Sequence, residues 1–178
     1  MSEPRVREAA EEGPTAELLR VRRGGQLSAL DRLLLHSPPV AEGWNALLGA
    51  LRGATTLSAD LRALVVLRVA VLNDADFEWV SHEPIARRAG LGEQQLRALR
   101  RPDAAGEPVW TPVQAAVLAF TDASTRDVAV PDEVFAGVRA HLDDRQVVEL
   151  AVLVGGYAMV SRFLVALQVP PPSGEVPG

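Results

Sequence analysis

Cysteine is absent from the 178-residue chain. That excludes disulfides, thiolate nucleophiles and thiolate-bound metals without any structural assumption. Aromatic residues are scarce, 4% of the chain against 48% hydrophobic residues in all. The core must therefore be built from Leu, Val and Ala, a composition that favours helices packed on helices. Nor does any stretch alternate apolar and polar residues as a half-buried strand would. Positive charge is in deficit: 18 Lys plus Arg stand against 23 Asp plus Glu, a formal charge of −5. With no basic patch carrying interleaved aromatics, no nucleic-acid partner is expected. The opening MSEPRVREAAEEGP has no apolar core and does not read as a secretory signal. The longest apolar run, Leu150 to Val160, is too short to span a bilayer. These absences predict a soluble, cytoplasmic protein with no membrane partner.

What is present reads as one domain. Residues 1–14 are charged and poor in large apolar side chains, which predicts a disordered tail. Residues 15–169 read as a single all-helical domain, and 170–178 as a disordered Pro-rich tail. Within the domain, Thr15 and Ser28 are placed to cap two short helices, the second running through Leu35. Ser37-Pro38-Pro39 stops it. A helix from about Val40 to Leu51 presents Trp44, Leu47, Leu48 and Leu51 as an apolar stripe. Ser58 precedes a strongly apolar helix, Ala59 to Leu72. Asn73-Asp74 breaks the chain, and either residue could cap the next helix. Further helices are expected over Glu93 to Arg100, Thr111 to Thr121 and Pro131 to Leu142. The last one is capped by Asp143 or Asp144 and ends near Val169. It is apolar nearly all round from Leu150, so it is buried by the core or by another subunit. Gly155-Gly156 would let a neighbouring helix approach closely.

The chemistry concentrates in LRALVVLRVAVLNDADFEWVSHEPIARRAGL, Leu61 to Leu91. Glu78 and His82 are four residues apart and so project from one helix face. A carboxylate and an imidazole on one face can act as a proton-transfer pair. The same spacing also suits a partly exposed, helix-stabilising pair. Pro84 frees the carbonyl of Val80, which lies near enough to orient the His82 ring. Arg68 shares a face with Leu61, Leu64, Val65 and Leu72. Its guanidinium either pairs inside, snorkels to an edge, or lines a pocket and binds an anionic ligand.

LRVAVLN, FEWVSH and IARRAGL resemble the carboxymuconolactone decarboxylase family, which includes the alkyl hydroperoxidase D peroxidases. The likeness extends from about Leu30 to Pro170 and is strong again at ELAVLVGGYAMVSRFLVALQVP. The peroxidase branch carries C-x-x-C-x-x-x-H on this helix. With its His on His82, the two Cys positions fall on Ala75 and Glu78, and an assisting upstream Glu falls on Ala63. No thiol peroxidase activity is therefore expected. The decarboxylase branch has a Glu four residues before the His, as Glu78 and His82 do here.

The resemblance implies an all-α bundle of the carboxymuconolactone decarboxylase and alkyl hydroperoxidase D type, assembled as a homo-oligomeric trimer or hexamer. It implies cofactor-free acid–base chemistry on a small organic acid or lactone-like metabolite, by decarboxylation, isomerisation or cyclisation. His82 would shuttle the proton, Glu78 would orient it or act as partner base, and Arg68 would hold a carboxylate or stabilise an enolate. Trp79 and Tyr157 are candidates to line the substrate pocket. The alternative is a non-catalytic oligomeric protein that binds a ligand and kept the fold.

Other chemistries lack their motifs. His36, His82 and His141 form no H-x-x-x-H or H-E-x-x-H pair, so no metal site is expected. There is no G-x-S-x-G elbow, G-x-G-x-x-G turn or Walker loop.

Overall fold

The computed structural model describes residues 4–172. Nine α-helices lie among them: α1 Gly13–Arg23, α2 Ala29–Leu34, α3 Pro38–Gly53, α4 Ala59–Leu72, α5 Asp76–Arg88, α6 Glu93–Leu99, α7 Pro112–Arg126, α8 Asp132–Arg139 and α9 Asp144–Leu167. A single 3-10 turn, Ala104–Gly106, precedes α7. The described residues contain no strand, so the fold is all-α.

Local chemistry accounts for most boundaries. Ser28, Thr111 and Asp143 each accept the N–H of the third helical residue, and Asp31, Gln114 and Gln146 reach back in reciprocal capping boxes. Pro38 and Pro39 do more than stop α2. They occupy the first turn of α3, where a missing N–H leaves no bond unmade. The α4–α5 junction differs from expectation. Asn73 closes α4, its Nδ2 donating to the Val69 carbonyl at 2.9 Å, and Asp74 takes a left-handed φ of 51°. Neither caps α5, which begins after Ala75 with no side-chain cap.

The core is organised around α4. Leu64, Val65, Leu67 and Val69 are wholly buried there, between α5, α7 and α9. Helix α9 is long and apolar enough to cross a membrane, and half of its most apolar stretch is buried inside the domain. It serves this fold as a core helix. Gly156 is where α9 meets α3: a Cβ there would sit 2.9 Å from Leu51 Cδ1, whereas Gly155 faces open space. Trp110 anchors the loop before α7 by donating its indole N–H to the Ala104 carbonyl at 2.7 Å.

Residues 4–12, where composition predicts a disordered tail, are tied to the domain. Arg5 donates to the carbonyls of Leu167 and Ala166, at 2.9 and 3.1 Å, and Ala9 to that of Arg32 at 3.3 Å. The expected C-terminal tail lies mostly outside the described residues.

Candidate active site

Helix α5 folds back along α4 and turns Glu78 and His82 towards a cavity of about 460 Å³. The cavity is walled by Arg22 and Arg23 at the end of α1, Trp44, Leu48 and Arg52 of α3, Phe77 of α5, and Tyr157 and Val160 of α9. A second cavity, of about 330 Å³, shares Arg52, His82, Ile85 and Tyr157 with the first. Leu51, Ala63, Val66 and Leu153 give it an apolar wall, with Arg62 and Arg88 also lining it. Ala63, where the peroxidase branch carries a carboxylate, thus adds only a methyl group to that wall.

The expected pair is brought together. His82 Nε2 lies 3.2 Å from Glu78 Oε2, with side-chain exposures of 13% and 5%. The contact is misaligned for a hydrogen bond: Glu78 Oε2 is buried and accepts none. Burying a carboxylate oxygen without a partner costs roughly 1–3 kcal/mol or more. The His82 ring is held by Glu78 and by an edge-to-face contact with Tyr157, centroids 5.4 Å apart, rather than by the freed Val80 carbonyl.

Tyr157 lies in the site as expected. Burial pushes its phenol up to about 12, with the Arg52 charge opposing and the Glu78 charge adding to the rise. The hydroxyl therefore keeps its proton at neutral pH and can donate a hydrogen bond.

Arg68 and Trp79 are placed elsewhere. Arg68 is fully buried, and its guanidinium forks onto Asp122, Nε to Oδ1 and Nη2 to Oδ2, both at 2.6 Å. Nη1 donates to the carbonyls of Leu99 and Arg101 at 2.7 and 2.8 Å, and Nη2 to that of Pro102 at 3.1 Å. Every nitrogen is thus engaged, and Arg68 lines neither cavity beside His82. Of the readings open for this residue, the internal ion pair is the one the fold contains. Trp79 is buried on another side of α5, where its indole donates to Glu83 at 2.7 Å and Arg100 stacks 3.7 Å over its ring.

Three arginines stand where sequence reasoning placed none. Arg22 and Arg23 both bind Asp31, which is fully buried and also accepts from Ser28. Burial works against the Asp31 charge, but Arg23 and these hydrogen bonds hold the carboxyl below its usual range. Burial, then Arg23, pushes Arg22 down to about 10 against the pull of Asp31. Arg22 Nε and Arg52 Nη2 are buried without a hydrogen-bond partner. No local signal marks these residues, since the cavity gathers α1, α2, α3, α5 and α9 from across the chain.

Among curated proteins, none matches the sequence significantly. Solved structures do. An Agrobacterium tumefaciens protein of unknown function, described as a candidate antioxidant defence protein AhpD, superposes with a TM-score of 0.73 at 26% identity. That match covers 80% of this chain and 97% of the other. An uncharacterised peroxidase-related protein from Silicibacter sp. TM1040 gives 0.75 at 18% identity, covering 88% and 82%. The debrominase Bmp8, solved as a Cys-to-Ala variant with 2,3,4-tribromopyrrole, gives 0.75 at 14%, covering 88% and 84%. Residues 38–123, which hold α3 to α6 and most of α7, match the carboxymuconolactone decarboxylase family. The fold is that of the AhpD-like proteins, and residues 38–123, just under half of the chain, carry the likeness to the carboxymuconolactone decarboxylase family.

Proposed function

We propose that the protein is a cofactor-free acid–base enzyme of the lyase or isomerase type, acting on a small organic acid or lactone-like metabolite in the cytoplasm. The observation that carries this reading is the buried Glu78 Oε2, without a hydrogen-bond partner beside His82, both residues lining a cavity of about 460 Å³. A purely structural ion pair would align its hydrogen bond, as Arg68 and Asp122 do.

In this reading the imidazole is the proton shuttle, because its ordinary pKa lies nearest neutrality. When a C–H bond next to a carbonyl breaks, His82 takes the proton and the electron pair moves onto the carbonyl oxygen. When carbon dioxide leaves instead, the same electron pair develops and His82 returns a proton to carbon. Glu78 fixes the ring and stabilises its cationic form. Tyr157 donates to the developing oxyanion, and the apolar walls exclude water and strengthen each of these interactions.

The protein is further proposed to act as a homo-oligomer, a trimer or hexamer. Val148, Val152 and Met159 leave an apolar stripe exposed along α9, which a second copy would cover. Light scattering at the 19.0 kDa monomer mass would contradict that assembly. The reaction is tested by incubating the protein with pooled small organic acids and lactones and following their loss by mass spectrometry. Consumption that disappears in His82→Ala supports the enzyme. Consumption that persists in His82→Ala removes His82 from the chemistry, and none at all moves the reading to a ligand-binding protein.

A further inference from the structure

All 18 basic residues of the chain are arginine. Most of those described are engaged by carboxylates or carbonyls, and the cavity beside His82 is where buried guanidinium nitrogens are left over: Arg22 Nε and Arg52 Nη2. Arg22 enters from α1, and its Nη2 is committed to Asp31 at 2.9 Å. Arg52 enters from α3 and sits beside the Tyr157 hydroxyl. The two come from helices separated in sequence and line one cavity together with a carboxylate and an imidazole.

Charge balance narrows what could fill it. Arg22, Arg23 and Arg52 face Glu78, with Asp31 directly behind Arg22 and Arg23. Three cations against two carboxylates leave one positive charge uncompensated while His82 is neutral. The depressed pKa of Arg22 has the same origin, burial together with a neighbouring guanidinium. A single anionic group would relieve both the charge and the unmade hydrogen bonds. A dianion would overshoot and bring negative charge up to Glu78.

We propose that Arg22 and Arg52 hold the carboxylate of a monoanionic ligand in this cavity, with its carbon framework against Leu48, Phe77 and Val160 and its reacting end towards His82. This anion clamp takes the part that the sequence suggested for Arg68. The proposal deepens the acid–base reading by naming the substrate class, and it rests on that reading only for the cavity being the functional site.

Isothermal titration of the full chain with benzoate and with benzamide, its neutral isostere, tests the clamp without requiring turnover. Benzoate is expected to bind at least about tenfold more tightly than benzamide, since charge-assisted bonds to a fork of donors are the stronger kind. Arg22→Met and Arg52→Met are each expected to weaken benzoate about tenfold or more and leave benzamide within about twofold. Arg52→Lys keeps the charge without the planar fork and should fall between; it carries the test if Arg52→Met does not fold by circular dichroism. Arg97→Met, which removes an exposed guanidinium outside the cavity, should change nothing. Phosphate at about pH 8, where it is largely the dianion, should bind less tightly than benzoate at the same pH. The proposal is overturned by no benzoate binding up to about 10 mM, by equal affinity for benzamide, by an unchanged Kd in both Met variants, or by tighter binding of phosphate. A failed reaction screen with these results intact would sink the acid–base reading and leave the clamp standing.

Discussion

Two arginine clusters in this molecule use the same chemical groups to opposite ends. At Arg68 the guanidinium is fully buried, forked onto Asp122 and bonded to three backbone carbonyls. At the cavity, Arg22 and Arg52 are partly buried, each with a nitrogen that bonds nothing, opposite a carboxylate oxygen that also bonds nothing. A saturated polar network locks one arrangement of helices. An unsaturated one beside an open volume stores interaction free energy that only a guest can release. Burial of a charged residue is thus a poor guide to function, and the unmade hydrogen bond is a better one.

The largest expected effect sharpens that contrast. Arg68→Met leaves Asp122 with only Arg126, 3.6 Å away, and takes their side-chain donor from the carbonyls of Leu99 and Arg101, while that of Pro102 keeps Arg126. Breaking a buried pair on one side should cost about 3–5 kcal/mol in denaturant unfolding. Arg52→Met, by contrast, should change stability by less than about 1 kcal/mol, because no network depends on its free nitrogen. Comparable losses at the two sites would erase the distinction.

Next in size is the effect on reaction. His82→Ala should lower turnover about a hundredfold or more with the fold intact. Glu78→Gln keeps the shape and removes the charge, so steady-state kinetics should show a clear fall in kcat while unfolding shows stability unchanged or slightly raised. A loss of stability in place of kcat would turn the pair into a structural one.

A third expectation concerns Tyr157, the one tyrosine of the chain, so phenolate absorbance reports it alone. The native midpoint should lie near 12, and the unfolded midpoint near its ordinary 10.0. The native state then holds this proton more tightly than the unfolded one. Tyr157 costs no stability below about pH 10, and stability declines as pH rises from there towards 12. Arg52→Met should move the native midpoint higher, since Arg52 favours the phenolate. A native midpoint near 10 would mean the hydroxyl is open to water.

The smallest effect is expected at Trp79. Its indole serves Glu83 and Arg100 away from the cavity, so Trp79→Phe should leave benzoate affinity and turnover within about twofold. A larger change, read by titration and steady-state kinetics, would extend the site around α5.

The sequence disclosed the helices because their caps and turn residues act locally. Ser28, Asp143 and the Pro38-Pro39 pair mark boundaries that the structure contains. Glu78 and His82 were legible for the same reason: four residues on one helix fix their relation before any tertiary contact forms. Arg68 could not be assigned, since Asp122 lies 54 residues away and no spacing rule links them. Arg22 and Arg52 were missed because an ordinary arginine at a helix end looks the same whether it meets solvent or a cavity assembled from five helices. Trp79 was a candidate, with Tyr157, as an aromatic that could line an apolar pocket, but it follows Glu78 on α5 and so projects about 100° away from it.

The central claim is that His82, beside the unpartnered Glu78, moves a proton to or from carbon. Decarboxylation, isomerisation and cyclisation through an enolate all exchange that proton with solvent, so one measurement covers them. The protein is incubated in deuterium oxide with pooled small carboxylic acids and lactones, and carbon-bound deuterium is followed by NMR. The account predicts incorporation into at least one carboxylate that wild-type protein catalyses and His82→Ala does not. Incorporation that proceeds equally with His82→Ala would contradict it.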